Sequence, residues 1–314
     1  MDENTAAERP PQPDWSSVTA EDLAAYRLAE NHWRASGAAR SVLGQPDPGA
    51  TIEWHRVKLP GRDVPVRVYR PSGAPQGPLP LVLHVHGGGF VGTAVQCDWA
   101  NSHLATHLPA LVVSVEHRLL DRGISLSEAA ADGWDVLQHV VGHAERWGAD
   151  PARVAVLGES FGGLISALSA IRARESGLRL AAQVLVNPAV DVTGTLYEHA
   201  SIAEYGHGLG PTVPQLRVLR RLAVPPGTDA RTLSPLYADE LGGLARALVV
   251  VPTQDSVADH GRRYAERLDA AGTTARLTEY PGAVHGFLTL PGIQPQAEPA
   301  RAEILEFLGA ALTG

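Results

Sequence analysis

The sequence is poor in several residue types that particular functions require. It has one cysteine, Cys97, in 314 residues, so an internal disulfide is excluded and nothing implies an oxidising compartment. Lys58 is the only lysine, which argues against a lysine Schiff base mechanism. Aromatic residues make up only 5%, and the formal net charge is −8. Nucleic-acid binding needs a basic surface, so we expect no nucleic-acid partner.

The chain also lacks long apolar runs. No stretch is long enough to span a bilayer, and the acidic start Met1-Asp2-Glu3 is not followed by a basic region with an apolar core. We therefore expect no membrane partner, no signal peptide and a cytoplasmic location. The length suits one large α/β domain with a cap.

Apolar runs alternate with helical patterns along most of the chain. Segments 51–59 and 64–70 alternate in polarity around a Pro-Gly turn and predict an antiparallel hairpin. Spacings of three and four residues from Trp134 to Trp147 predict a helix that faces the core. This order predicts an α/β fold, a mostly parallel eight-stranded sheet with helices on both faces. The other predicted strands are 80–86, 111–117, 152–158, 182–188, 247–253 and 275–280.

Two regions fall outside this alternation. Residues 1–16 predict a loose tail, followed by a helix capped by Thr19 and Asp22. We expect the apolar stripe of that helix to be Leu23, Tyr26, Leu28 and Trp33. Residues 191–233 are an insertion, interpreted either as a surface loop or as a substrate-pocket wall. The expected division is therefore an N-terminal cap with tail (1–45), a core (46–190 and 234–314) and a cap insertion (191–233).

The segment Gly158-Glu159-Ser160-Phe161-Gly162 carries the first catalytic candidate. It lies between an apolar run, 152–157, and small residues suited to a helix, 162–167. A strand, a glycine-flanked turn and a helix form a nucleophile elbow, which lifts a serine hydroxyl clear of the sheet. Larger residues in place of the glycines would clash with the neighbouring helix and strand. Ser160 is therefore the candidate nucleophile.

A second glycine-rich segment, His86-Gly87-Gly88-Gly89-Phe90, follows a predicted buried strand. The N–H groups of Gly88 and Gly89, with that of Phe161, could bind a developing negative charge as an oxyanion hole. The alternatives are an ordinary turn or a phosphate cradle, but a phosphate cradle would need Gly-Lys-Ser/Thr or a Gly-x-Gly-x-x-Gly that opens a helix, and neither is present. His84 and His86 could be metal ligands, yet no carboxylate or cysteine cluster accompanies them in sequence. We expect no metal and no cofactor.

An acid and a base complete the candidate site. Asp255 follows the predicted strand 247–253, where catalytic groups of α/β sheets are commonly found. Asp259 competes with it, but a carboxylate in the first turn of a helix also has a structural explanation. His285 stands out among thirteen histidines because it lies in a glycine-bracketed loop after the last predicted strand.

In combination these segments resemble the hormone-sensitive-lipase-like esterases of the α/β-hydrolase superfamily. The chain order Ser160, Asp255, His285 matches that superfamily. The resemblance runs from about residue 60 to the C-terminus and departs from the family at the residues 117–122, at Phe161 (commonly alanine) and at 255–257. It is also carried by Ser234-Pro235-Leu236 and Tyr280-Pro281-Gly282-Ala283-Val284-His285-Gly286-Phe287.

The resemblance implies a serine carboxylesterase with a helical cap, acting on small short-acyl esters through an acyl-enzyme on Ser160. The expected substrate-binding residues are Phe90, Tyr205 and Leu209. Dimers are common in the family, so a homodimer is compatible with it. Two alternatives stay open: an acyl hydrolase or acyltransferase dedicated to one metabolite, and a non-catalytic small-molecule receptor of the same fold.

Overall fold

A single mixed sheet organises the chain in the computed structural model, which describes residues 8–73, 77–208 and 210–313. Its strand order is β1-β2-β4-β3-β5-β6-β7-β8, in which β2 is antiparallel to both of its neighbours and all other pairs are parallel. The strands are β1 (Ala50–Leu59), β2 (Arg62–Pro71), β3 (Leu79–Val85), β4 (Leu111–Val115), β5 (Ala149–Glu159), β6 (Ala182–Val186), β7 (Ala247–Gln254) and β8 (Ala275–Val284). The predicted eight-stranded α/β fold is confirmed.

Helices connect the parallel strands and cover both faces of the sheet. Their buried side chains build separate apolar clusters on the two sides, because strands covered on both faces are apolar throughout. Within the described residues the helices are α1 (Ala20–Ala35), α2 (Arg40–Leu43), α3 (Asp98–His107), α4 (Leu126–Gly142), α5 (Ala144–Trp147), α6 (Phe161–Ser176), α7 (Ala200–Tyr205), α8 (Val213–Ala223), α9 (Ala258–Ala270) and α10 (Ala297–Leu312). None of these helices is both long and apolar enough to cross a membrane.

The N-terminal region contacts α1 and Phe90 through a few side chains. Thr19 and Asp22 form the predicted capping box of α1, but Leu28 is 75% exposed, because it lies on the face opposite Tyr26. Of the predicted loose tail, the described residues 8–16 form no helix or strand, and most of them are exposed. Trp15 is buried 5.5 Å from the Tyr26 ring and 5.1 Å from the Phe90 ring, while Arg9 pairs with buried Glu30. Residues 1–7 lie outside the described part.

Strand ends bring distant chain segments to one edge of the sheet. Gln254 at the end of β7 pairs with Val284 at the end of β8, so the next residues, Asp255 and His285, emerge side by side. The sequence predicted that β8 would end at residue 280 and that His285 would lie in a loop. The strand instead continues through a register shift to Val284, and His285 follows it directly.

Gly162 lies where α6 packs closely against the end of β3. A Cβ at this position would lie 2.1 Å from the Val85 carbonyl oxygen and 2.5 Å from that of His86. Both are backbone atoms at the end of β3, so we expect Gly162→Ala to destabilise the protein by about 3 kcal/mol or more. The matched control is Gly142→Ala, which meets nothing within 4 Å and is expected to be neutral or slightly stabilising. Urea unfolding of both variants measures the difference, and equal midpoints would contradict this packing.

Candidate active site

Ser160 occupies the turn between β5 and α6 in a strained backbone conformation. Its φ and ψ are 52° and −115°, a region that L residues rarely adopt. The turn is held because the Ser160 N–H donates to the Val186 carbonyl at 2.9 Å and its own carbonyl accepts from Leu164 and Ala189. At Gly158 a Cβ would lie 2.2 Å from the Gly162 carbonyl oxygen, so the helix can approach the strand only over a glycine.

His285 bridges Ser160 and Asp255. Its Nε2 lies 2.7 Å from Ser160 Oγ and its Nδ1 lies 2.8 Å from Asp255 Oδ2. Asp255 is fully buried, and its other oxygen accepts from the Val257 N–H at 3.0 Å, which fixes the plane of the carboxylate. A carboxylate can only accept, so His285 Nδ1 carries the proton and Nε2 is free to accept the serine proton.

Asp259, the competing acid, faces elsewhere. Its carboxylate accepts from the Ser201 N–H at 2.9 Å and pairs with Arg262 at 2.9 Å. These contacts lower the pKa of Asp259 although partial burial opposes them. The arrangement joins α9 to the start of α7 rather than orienting a histidine.

The glycine segment after β3 lies beside Ser160. Gly88 has a φ of 99°, and a Cβ there would lie 1.7 Å from the Val91 carbonyl oxygen, so only glycine fits. Gly89 is packed closely, because a Cβ there would meet Leu219 at 2.5 Å and Phe161 at 3.1 Å. Gly88, Gly89 and Phe161 line the same cavity as Ser160, where backbone N–H groups can stabilise a negative oxygen.

Two stacked imidazoles lie behind this segment. His86 donates from Nδ1 to the Gly87 carbonyl at 3.0 Å and stacks on His117 with ring centroids 4.3 Å apart. Burial lowers the pKa of His86 to about 3 and, together with the His86 charge, lowers the pKa of His117 to about 4. Both rings are therefore neutral at ordinary pH.

The cavity above Ser160 has a volume of about 460 Å³. Its walls come from α1, α8 and the strand-end loops, and they include Trp15, Tyr26, Phe90, Leu216 and Leu219. Phe90, predicted to bind substrate, lines the cavity. Tyr205 is not among the described residues that line it, because the cap helix facing the cavity is α8 rather than α7. Leu209 lies outside the described residues.

A sequence family described as alpha/beta hydrolase fold matches residues 82–289, well over half of the chain. The chain belongs to the α/β-hydrolase fold family. This α/β hydrolase is 34% identical over 278 residues to carboxylesterase NlhH of Mycobacterium tuberculosis, with 84% of each chain covered. It is 30% identical over 279 residues to an ethyl acetate hydrolase of Pseudomonas putida, with 85% of each covered. The solved structure of ester-hydrolase EH1AB1, from the metagenome of Lake Arreo, matches with a TM-score of 0.87 at 30% identity, covering 96% of this chain and 94% of that one.

Some residues of the α/β hydrolase that hold the glycine segment in place could not be identified from the sequence. Arg27 of α1 donates to the Phe90 carbonyl at 2.7 Å, and Asn31 exchanges two hydrogen bonds with the backbone of Gly92. Gln96 donates to the Gly87 carbonyl at 3.2 Å. No local pattern signals these contacts, because 61 residues separate Asn31 from Gly92. The N-terminal helix thus holds the candidate oxyanion loop directly.

His84 also has neighbours that the sequence did not suggest. No carboxylate or cysteine cluster accompanies His84 in sequence, but folding brings Cys97 and Glu159 beside it. Its Nε2 lies 3.7 Å from Glu159 Oε1, and its Nδ1 lies 2.7 Å from Ser114 Oγ. The contacts come from a neighbouring strand, the residue before Ser160 and the segment before α3. The expectation that His84 has no carboxylate or cysteine neighbours is therefore wrong.

Acid should destabilise this protein through the two stacked imidazoles. Each has a folded pKa below the unfolded value of 6.5, so the unfolded chain binds protons that the folded chain cannot. Their stabilising contribution is complete above pH 6.5 and is lost as the pH falls towards 4 and then 3. We expect a loss of roughly 1 kcal/mol per pH unit for each histidine.

Urea unfolding between pH 7 and about 4.5 measures this slope, since most carboxylates titrate below that range. His117→Gln removes about one of the protons taken up on unfolding. It should therefore reduce the dependence of the unfolding free energy on pH by roughly 1 kcal/mol per pH unit. The exposed His32→Gln is the matched control and should leave it unchanged. Equal slopes in wild type and His117→Gln would show that His117 takes up a proton in the folded state.

Proposed function

We propose that this protein is a serine carboxylesterase that hydrolyses small short-acyl esters through an acyl-enzyme on Ser160. The observation that carries the proposal is the continuous hydrogen-bonded path from Asp255 through His285 to Ser160, beneath a cavity that opens on a glycine loop. Its relatives named as a carboxylesterase and an ethyl acetate hydrolase support the same reaction.

In the proposed reaction His285 Nε2 takes the Ser160 proton as Oγ attacks the ester carbonyl. Asp255 holds the imidazole in the required tautomer and stabilises the imidazolium. N–H groups of Gly88, Gly89 and Phe161 donate to the oxyanion, an interaction worth about 10²–10³ in rate for one donor. His285 then protonates the leaving alcohol and later activates the water that releases the acyl group.

The preference for short acyl groups rests on the walls next to the glycine loop. Leu219 and Phe161 lie close enough to Gly89 that a Cβ there would contact both. Phe161 is largely inaccessible, with 1% of its surface exposed, so it fills space behind the loop rather than yielding to a long chain. Phe90 and Trp15 close another side of the cavity.

The test is a series of p-nitrophenyl esters from acetate through butyrate and octanoate to palmitate, combined with labelling by a fluorophosphonate probe. We expect labelling at Ser160 and the highest kcat/KM for acetate or butyrate. Leu219→Ala should shift the preference towards octanoate. Labelling without turnover of any simple ester would contradict the short-acyl proposal and favour a dedicated metabolite enzyme. Tight ligand binding without labelling would favour a receptor.

A further inference from the structure

A second cluster of chemically active side chains lies away from Ser160. Asp191 follows β6, His199 precedes α7 and His260 lies in the first turn of α9. Their exposed fractions are 1%, 4% and 0%. Two segments far apart in sequence, 191–199 and the start of α9, thus meet in the interior, and the mechanism above uses none of the three residues.

His260 is the anomalous member of the cluster. Within the described residues neither of its ring nitrogens has a hydrogen-bond partner, although the ring is completely buried. A buried imidazole without partners loses its hydrogen bonds to water and gains nothing in return, so its burial is destabilising. Its ring centroid lies 4.7 Å from that of His199, so the unpaired ring faces the cluster.

The spacing of the donor atoms suits a metal ion. One ligand atom from each residue can be chosen so that all three lie within 4.8 Å of one another. Asp191 Oδ2 and His199 Nε2 are 3.2 Å apart. Zn²⁺ bonds of about 2.0–2.1 Å in tetrahedral geometry place ligand atoms about 3.4 Å apart, so this pair already has the required separation. A ligand atom of His260 lies within 4.8 Å of its counterparts in the other two residues and would have to move closer to supply the third of the four tetrahedral positions.

The surroundings of Asp191 hold its carboxylate in place. Oδ1 accepts from the Thr193 N–H at 2.7 Å, and Oδ2 accepts from the Thr195 hydroxyl at 3.0 Å. Such outer hydrogen bonds orient metal-binding carboxylates in proteins. His199 Nδ1 faces the exposed Arg263 guanidinium at 3.4 Å, and Nε2 is the nitrogen directed at Asp191.

We propose that Asp191, His199 and His260 form a binding site for a divalent transition-metal ion, most readily Zn²⁺. One carboxylate and two imidazoles are donors that such ions favour. Because the site is buried and joins the 191–199 segment to α9, its role is structural. It ties the cap insertion to the helix that begins three residues after Asp255.

Two other sets of potential ligands must be removed before the test. The described residues also group Asp47 with His103 and His107, and His84 with Cys97 and Glu159. The first set is partly exposed and can bind added metal at the surface. We therefore use a background protein carrying His103→Ala, His107→Ala and Cys97→Ser.

The background protein is unfolded in guanidinium chloride and refolded with either ZnCl₂ or EDTA. Excess metal is then removed, and bound zinc is measured by mass spectrometry. We expect about one equivalent of zinc after refolding with ZnCl₂, and a Tm at least about 5 °C above that of the EDTA sample. Less than about 0.1 equivalent would overturn the proposal. Zinc bound by the wild type but absent from the background would overturn it as well.

His260→Leu in the same background gives effects of opposite sign for the two explanations. If His260 binds zinc, the variant loses the metal and its Tm falls to or below that of the EDTA sample. If His260 is merely an unpaired buried imidazole, leucine removes an unsatisfied group, and the Tm stays equal or rises. Zinc retained in His260→Leu overturns the proposal. Should this variant fail to fold, the zinc content of the background decides alone. Ester hydrolysis takes no part in either measurement.

Discussion

Ser160→Ala should abolish ester hydrolysis while leaving the fold intact. We expect kcat to fall by about 10⁴–10⁶, because no other group replaces Oγ at 2.7 Å from His285 Nε2. Alanine keeps the Cβ and therefore the same backbone strain, so the free energy of unfolding should change by less than about 1 kcal/mol. Steady-state hydrolysis of p-nitrophenyl acetate and thermal unfolding measure the two effects.

Ser166→Ala is the matched control for this substitution. Ser166 lies in α6, the helix that follows Ser160. It is fully buried, and within the described residues its hydroxyl has no hydrogen-bond partner. We expect full activity and unchanged or higher stability, since an unsatisfied polar group is removed. Activity retained by Ser160→Ala, after exclusion of wild-type contamination, would refute the acyl-enzyme on this residue.

Asp255→Asn should lower kcat by about 10⁴ with little change in the position of His285. An asparagine can donate its N–H to Nδ1, which places the imidazole proton on Nε2. Nε2 then cannot accept the proton of Ser160, and a serine protease with the equivalent change loses activity on this scale. The measurement is kcat for p-nitrophenyl acetate at pH 7–8, with circular dichroism to verify folding.

Asp259→Asn is the matched control. It distinguishes the role of Asp255 from the general effect of removing a carboxylate after β7. Its contacts with Ser201 and Arg262 stabilise the junction of α7 and α9 and do not reach His285. We expect kcat within about threefold of wild type and a stability loss of about 1 kcal/mol. If Asp259→Asn abolished activity while Asp255→Asn retained it, the assignment of the acid would be reversed.

Local sequence patterns predicted much of the secondary structure and its order along the chain. Strand runs, the hairpin, the Thr19 cap and the order of the elements follow from periodicity and turn chemistry over a few residues, and the structure agrees at most boundaries within a few positions. The roles of Gly158 and Gly162 could be predicted from the sequence, because a nucleophile elbow has no room for a side chain at either position. The end of β8 was misplaced because Pro281 and Gly282 look like a turn, whereas pairing with β7 continues past them.

The sequence by itself determined the α/β class, the candidate nucleophile and the strand-end positions of its acid and base, because these depend on short segments whose chemistry is local. Only the tertiary structure decided which contacts span the chain. It packed Trp15 on Phe90, brought Asn31 to the glycine loop, left Tyr205 off the cavity wall and gathered Asp191, His199 and His260 in the interior. Most of those contacts join residues far apart in sequence, and burial of apolar surface, not local propensity, brings them together.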